Sequence, residues 1–473
     1  MQFLQLKHHS LSRFTIFIVI SSVLCISYLL TSIFIFPNIK SADLSASSNA
    51  LSSKTSLAHI VFGIASSEKS WGTRKDYVRL WWRPKEMRGC VFLDTYPPYA
   101  KMDQAEFPPV CLSGDTSHFR YTYRNGLRSA IRIARVVSET VWLNYTNVRW
   151  FVFGDDDTIF FPENLVKMLC KYDHGLWYYI GANSESVVQN KIHSYGMAFG
   201  GAGFAISYPL ARVLAKVLDS CLHRYPHLYG SDARIQACLA ELGVGLTHEP
   251  GFHQMDIRGS MHGFLASHPL QPLVSLHHLE ALDPVFPQMT PLEALQHLFG
   301  AVRIDSERVV QQTVCYDRWF SWTVSVSWGY AVEIFPHHMF LLDVLRVQET
   351  YGPWREGGGI NDVYAVDTVG YDPDRCRRPA VFFMHKVMYS SSSSSSSSSG
   401  IMSSYRAMGE DNCTVDSVSP RKLKEIRVYS EKKENEFEGG GGRRRECCDV
   451  LGSSSGDVME VAIRECGHQE LIR

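Results

Sequence analysis

Residues 150 to 159 read Trp-Phe-Val-Phe-Gly-Asp-Asp-Asp-Thr-Ile, an apolar run that passes without a break into three carboxylates. The apolar part belongs in a core and the acids do not, so the segment reads as a buried strand whose end opens on a surface. Side chains alternate along extended backbone, which sends Asp155 and Asp157 to one side and Asp156 to the other. Two hard oxygen donors at one strand end suit Mg²⁺ or Mn²⁺, which then takes phosphate oxygens as further ligands. A solvated acidic turn is the plain alternative, and the strand in front of the acids favours the first reading.

The chain on either side alternates between strand and helix patterns. Ile60 to Ala65 reads as a first buried strand, Trp71 to Trp82 as a helix stopped by Pro84, and Cys90 to Asp94 as a second strand. Residues 123 to 143 carry helical apolar spacing and lead to the acidic strand. Beyond it come a helix at Pro162 to Leu169, a strand at Trp177 to Gly181 and a glycine turn entering a strand over Phe199 to Ser207. Helices follow over Pro209 to Leu222 and from Ser231 to Gly243, the latter with a serine cap and a glycine stop. This order predicts a layered α/β domain. Residues 310 to 345 are dense in Trp, Val, Tyr and Phe with alternation, predicting an appended β-rich module.

At 473 residues the chain is long enough for two or three domains, and a net charge of −1 gives no basic surplus for nucleic acid. From Phe14 to Ile39 no residue is charged, a length that can cross a bilayer as a helix. Lys7 and Arg13 before it place the short N-terminal tail in the cytosol and the rest in the secretory lumen. A cleaved signal peptide, with its site in the Ser- and Ala-rich stretch after Lys40, is the rival reading. Asn144-Tyr-Thr and Asn412-Cys-Thr are glycosylation acceptors, and scattered single cysteines suit disulfides whose connectivity stays open. The expected organisation is a cytosolic tail (1–13), a transmembrane signal anchor (14–36), a stem (37–57) and an α/β domain (58–290). A β-rich module (291–389), a serine-rich linker (390–404) and a tail (405–473) that packs on the module complete it.

There is no Walker loop, no Gly-x-Gly-x-x-Gly after a first strand, no Gly-x-Ser-x-Gly and no zinc-protease spacing. Four motifs stand in order instead: Phe153-Gly-Asp-Asp-Asp-Thr, Phe199-Gly-Gly-Ala-Gly-Phe, Gly230-Ser-Asp-Ala-Arg and Leu276-His-His-Leu-Glu280. On these the chain, over about His59 to Pro287, resembles the plant fringe-related glycosyltransferases, near the β-1,3-galactosyltransferases. The later module resembles the C-terminal extension of plant proteins in that group.

The resemblance implies a GT-A nucleotide-sugar fold, a single-pass type II Golgi membrane protein, a UDP-sugar donor, a glycan acceptor, Mn²⁺ (or Mg²⁺) and inversion at the anomeric carbon. It implies Asp155 and Asp157 as metal ligands, with His278 as the late ligand, although Leu276 stands where the family has its first His and His277 remains open. It implies Asp232 as the catalytic base, against the plain reading of an acid at a helix N-terminus. Ser66, Arg74, Asp94, Asp155 and Asp156 are expected to contact the donor, and Gly200, Gly201 and Gly203 to let backbone approach it; a solvated arginine and a tight turn are the plain readings of Arg74 and the glycines. Two other functions fit the residues: a lumenal sugar-binding protein on a transferase fold, and an aspartyl phosphatase using Asp155-Asp-Asp157-Thr.

Overall fold

The structure is a computed structural model that describes residues 20–27, 54–96, 105–354, 364–389, 400–408, 413, 418–432, 444–452 and 456–472. Residues 1–54 and 55–473 form two units. In the first, residues 20–27 are helical. The rest of the apolar segment expected to be an anchor lies outside the described residues, as do most of the stem and the ten consecutive serines. Among the described residues no helix is long and apolar enough to cross a membrane.

The second unit holds a seven-stranded sheet. Its strands are β1 (Ile60–Ala65), β2 (Arg88–Leu93), β3 (Val110–Leu112), β4 (Trp150–Asp155), β5 (Tyr179–Gly181), β6 (Phe204–Ser207) and β7 (Leu246–His248), ordered β3-β2-β1-β4-β6-β5-β7. All neighbours run parallel except β6, which is antiparallel to both β4 and β5. Both faces are covered, and the period of two sorts the side chains between them. Ile60, Phe62, Trp150 and Val152 enter one apolar cluster, while Val61, Phe151 and Phe153 enter the other. The second cluster is closed by α2 (Ser129–Trp142), α4 (Tyr208–Arg224) and α5 (Ser231–Glu241). The first is flanked by α1 (Glu68–Trp81) and α3 (Pro162–Leu169).

Local chemistry sets the helix limits. Ser67 accepts from the Ser70 amide at 3.1 Å, so α1 begins at Glu68, three residues before the sequence pattern places it. Helix α2 begins at Ser129 rather than 123, because Asn125 takes a left-handed φ of 61° in a turn ahead of it. Gly230, not Ser231, caps α5; Ser231 is its first helical residue, and Gly243 beyond its end sits at φ 77°.

A second sheet occupies the C-terminal part. It comprises β8 (Gln312–Tyr316), β9 (Thr323–Ser327), β10 (Ala331–Phe335), β11 (Ala380–Tyr389), β12 (Gly400–Arg406), β13 (Glu425–Glu431), β14 (Cys447–Leu451) and β15 (Val458–Arg464), ordered β8-β9-β10-β11-β12-β13-β15-β14. A disulfide joins Cys315 on β8 to Cys448 on β14, the two ends of that order, so the sheet curls towards a barrel. Helix α6 (Pro291–Asp305), capped by Thr290, stands between the two sheets. Phe299 on it stacks on Phe161 at 5.4 Å. Ile60 and Phe62 of the first sheet belong to the same apolar cluster as Val326 and Val332 of the second. The two sheets share one core.

Candidate active site

The order of the first sheet reverses direction between β1 and β4, and a crevice opens at the carboxyl ends of strands at such a point. The acids sit there. Asp155 ends β4, and Thr158 closes the turn after it, with its hydroxyl accepting from the Asp155 amide at 2.8 Å and donating to the Gly201 carbonyl at 2.7 Å. A three-stranded sheet then brings in the late histidines. Leu276 pairs antiparallel with Ile159, which carries residue 277 back alongside the acids.

The alternation expected of the acids is present. Asp156 turns towards α1, where Ser66 and Ser70 each donate to Oδ2 at 2.6 Å and Arg74 donates to Oδ1 at 3.1 Å. Asp155, Asp157 and His277 each offer a ligand atom within 4.8 Å of the others. His277 Nε2 stands 3.1 Å from Asp157 Oδ1, yet the angle makes no hydrogen bond, and that oxygen and His277 Nδ1 are buried without a hydrogen-bond partner. Burial pushes the Asp155 pKa up to about 7; His277 opposes this, and Asp157, Asp232 and Asp156 add to it. Its side chain keeps 37% of its surface open, so cleft water tempers that shift. Burial also works to raise Asp157, but His277, Arg74 and His278 override it and hold the pKa at about 2. Two clustered carboxylates, one of them with an unpartnered buried oxygen, and an imidazole are a donor set that fits a divalent cation such as Mn²⁺.

His278, expected as the late ligand, is placed otherwise. It adopts a left-handed φ of 54°, which turns its ring away from the acids to lie 3.2 Å from Asp256 and to stack on Trp354. His277 takes the position beside the acids instead. Arg74, expected at a diphosphate, braces the acidic tip: it lies 3.1 Å from Asp156, 3.2 Å from Asp157 and 2.6 Å from Glu280. Burial works against its charge, and Glu280, Asp157 and Asp156 together raise its pKa above the usual value. Asp94, at the end of β2, accepts from the Glu68 amide at 2.8 Å at the start of α1.

Asp232 lies on the first turn of α5 and lines one cleft of about 480 Å³ with Asp155, His277, His278 and Trp354. The Ser231 hydroxyl donates to its Oδ1 at 2.8 Å. The glycines explain themselves here. A Cβ on Gly200 would lie 2.6 Å from Asp232 Oδ1, and one on Gly201 would lie 2.1 Å from His277 Cε1, so both positions must lack a side chain for the acid and the imidazole to fit. Gly203, at φ 85°, makes the turn into β6 and would clash with Phe160.

Three participants escaped the sequence reading. Glu280 belongs to a quoted motif, but its bond to Arg74 spans 206 residues. Arg132 donates to the Ser66 carbonyl at 2.6 Å at the end of β1. Trp354 enters from the C-terminal half and had no local signal.

A family model described as "Protein of unknown function, DUF604" matches residues 189–448, and the chain belongs to that family. A mouse protein named Beta-1,3-glucosyltransferase is 27% identical over 147 residues, covering 30% of this chain and 27% of that protein. Its human namesake is 30% identical over 136 residues, covering 29% and 26% respectively. The chain thus spans about a quarter of the length of these curated relatives. The similarity supports a glycosyltransferase class.

Proposed function

We propose that this chain is a metal-dependent, inverting glycosyltransferase of the fringe-related group, moving a sugar from a UDP-sugar to a glycan or glycoconjugate hydroxyl. Its α/β part is a GT-A domain, residues 14–36 anchor it as a type II protein of the Golgi membrane, and the site works in the lumen. The convergence of Asp155, Asp157 and His277 at the switch point, with Asp232 in the same cleft, carries this reading. The likeness to β-1,3-glucosyltransferases supports it and makes UDP-glucose the first donor to test. Five disulfides among the described residues, Cys90–Cys111, Cys221–Cys238, Cys315–Cys448, Cys376–Cys413 and Cys447–Cys466, suit an oxidising lumen.

Asp155, Asp157 and His277 would hold the Mn²⁺, which when bound would offset charge on the departing diphosphate. Asp232 accepts the proton of the attacking hydroxyl. Because Ser231 occupies Oδ1, the free Oδ2 is the oxygen that takes it. Arg74 and Asp156 hold the acidic tip still while charge moves. Release of UDP by the purified chain over a panel of UDP-sugars, with and without Mn²⁺, tests this. Asp157→Asn and Asp232→Asn are expected to abolish Mn²⁺-dependent release while remaining folded. Undiminished release by either folded variant overturns the assignment.

A further inference from the structure

The segment that follows α6 and the first three strands of the second sheet returns to the first. Tyr351–Pro353 pairs antiparallel with Ile257–Gly259, and this pairing delivers Trp354 to the wall of the cleft. The Trp354 carbonyl accepts from Arg258 Nε at 2.8 Å, and the Arg258 guanidinium lies 4.8 Å from the centre of the indole. The His278 ring lies parallel to the indole, 8° from coplanar, with centroids 4.3 Å apart. The same ring also meets that of His277, with centroids 3.9 Å apart. His278 Nδ1 faces Asp256 Oδ1, and Asp256 is held through Oδ2 by the Ser184 hydroxyl at 2.6 Å.

Adjacent histidines on one tight turn have two ways to present their rings. The left-handed backbone at His278 selects one of them and carries a conformational cost for a non-glycine residue. Something must hold it there, and the parallel stack on Trp354 does so together with Asp256 at Nδ1. We infer that Trp354 is a positioning residue for the cation site: by seating His278 against its indole it keeps His277 turned onto Asp155 and Asp157. The C-terminal half is therefore part of the active site rather than an appendage. This gives a physical reason why the family match, residues 189–448, runs across both halves of the molecule. The inference rests on the proposed reading of Asp155, Asp157 and His277 as cation ligands.

The test is Mn²⁺ binding to the purified full chain, followed by loss of the free-ion electron paramagnetic resonance signal, with no substrate present. Trp354→Met fills the space without a planar face and is expected to weaken binding about tenfold or more, the usual effect of removing a residue that orients a ligand. Trp354→Phe restores the stack and is expected to stay within about threefold of the parent. Trp319→Ala, on an exposed turn of the second sheet away from the cleft, is expected to bind like the parent. If Trp354 acts through His278, adding His278→Leu to Trp354→Met weakens binding no further than His278→Leu alone. Failure of the parent chain to bind Mn²⁺ would sink the cation reading itself. Parent-like binding by Trp354→Met, or fully additive losses in the double variant, would overturn the inference while leaving that reading intact.

Discussion

Gly201→Ala is the sharpest single perturbation of this site. An added Cβ would stand 2.1 Å from Cε1, 2.4 Å from Nδ1 and 2.5 Å from Nε2 of His277, so it lands on the face of the ring rather than on a flexible tip. Ordinary contact begins near 3.4 Å, which means the ring must retreat by about 1.3 Å. The ring is buried, and His278 sits 3.9 Å away, so a retreat strains neighbours as well. Overpacking of this kind costs about 1–3 kcal/mol, enough to lower Tm by a few degrees. The same displacement pulls Nε2 from its place 3.1 Å from Asp157 and removes a cation ligand. Two melts decide the matter, one in chelator and one in saturating Mn²⁺. The parent chain is expected to gain about 2.7 kcal/mol when the ion is at a hundred times its Kd, and a variant weakened tenfold to gain only about 1.4 kcal/mol at the same ion concentration. A variant that melts with the parent in chelator and gains as much from Mn²⁺ would refute the argument from close approach.

Other expectations follow from the same geometry. Thr158→Val removes a buried hydroxyl that both accepts from Asp155 and donates to Gly201, and should cost about 1–3 kcal/mol in denaturant unfolding; a change below about 0.5 kcal/mol would contradict that role. Glu185 is buried against His253 at 3.1 Å and accepts from the Met255 amide at 2.8 Å, and burial pushes its pKa up to about 7. Its folded pKa lies above the unfolded value of 4.5, so its protonated form stabilises the fold at low pH, and that contribution is lost as pH rises towards about 7. Glu185→Gln keeps both hydrogen bonds without a titrating proton, so its Tm relative to the parent should rise between about pH 5 and pH 8; a pH-independent difference would rule out this linkage. Arg74→Met leaves Asp156 and Asp157 without their shared cation, and should lower Tm by more than Arg79→Met does, since the acids that Arg79 meets are exposed; equal shifts would count against the bracing role.

The acidic strand was legible because its physics is local. An apolar run ending in acids has one low-cost arrangement, and the period of two already separated Asp156 from its neighbours. The helix after Pro162 was equally plain, since proline sits well in a first turn. Helix α2 was extended too far because apolar spacing continued through residues whose turn depends on a left-handed Asn125. The choice between His277 and His278 was not readable at all. It is made by the backbone at His278 and by an indole arriving from residue 354, both of which exist only once the two halves share a core. The bracing contact of Arg74 was hidden because its partner Glu280 is distant in sequence. Disulfide pairing was closed to sequence reasoning for the same reason; Cys315 meets Cys448 across 133 residues.

The proposed function turns on Asp155, Asp157 and His277 gripping one divalent ion. Anomalous diffraction from crystals of residues 55–473 grown with Mn²⁺ and UDP is the direct test. A single strong peak is expected within bonding distance of both carboxylates and His277 Nε2, with the diphosphate beside it and His278 still against Trp354. A peak ligated by His278 in place of His277, or no peak at the end of β4 while UDP is bound, would contradict it.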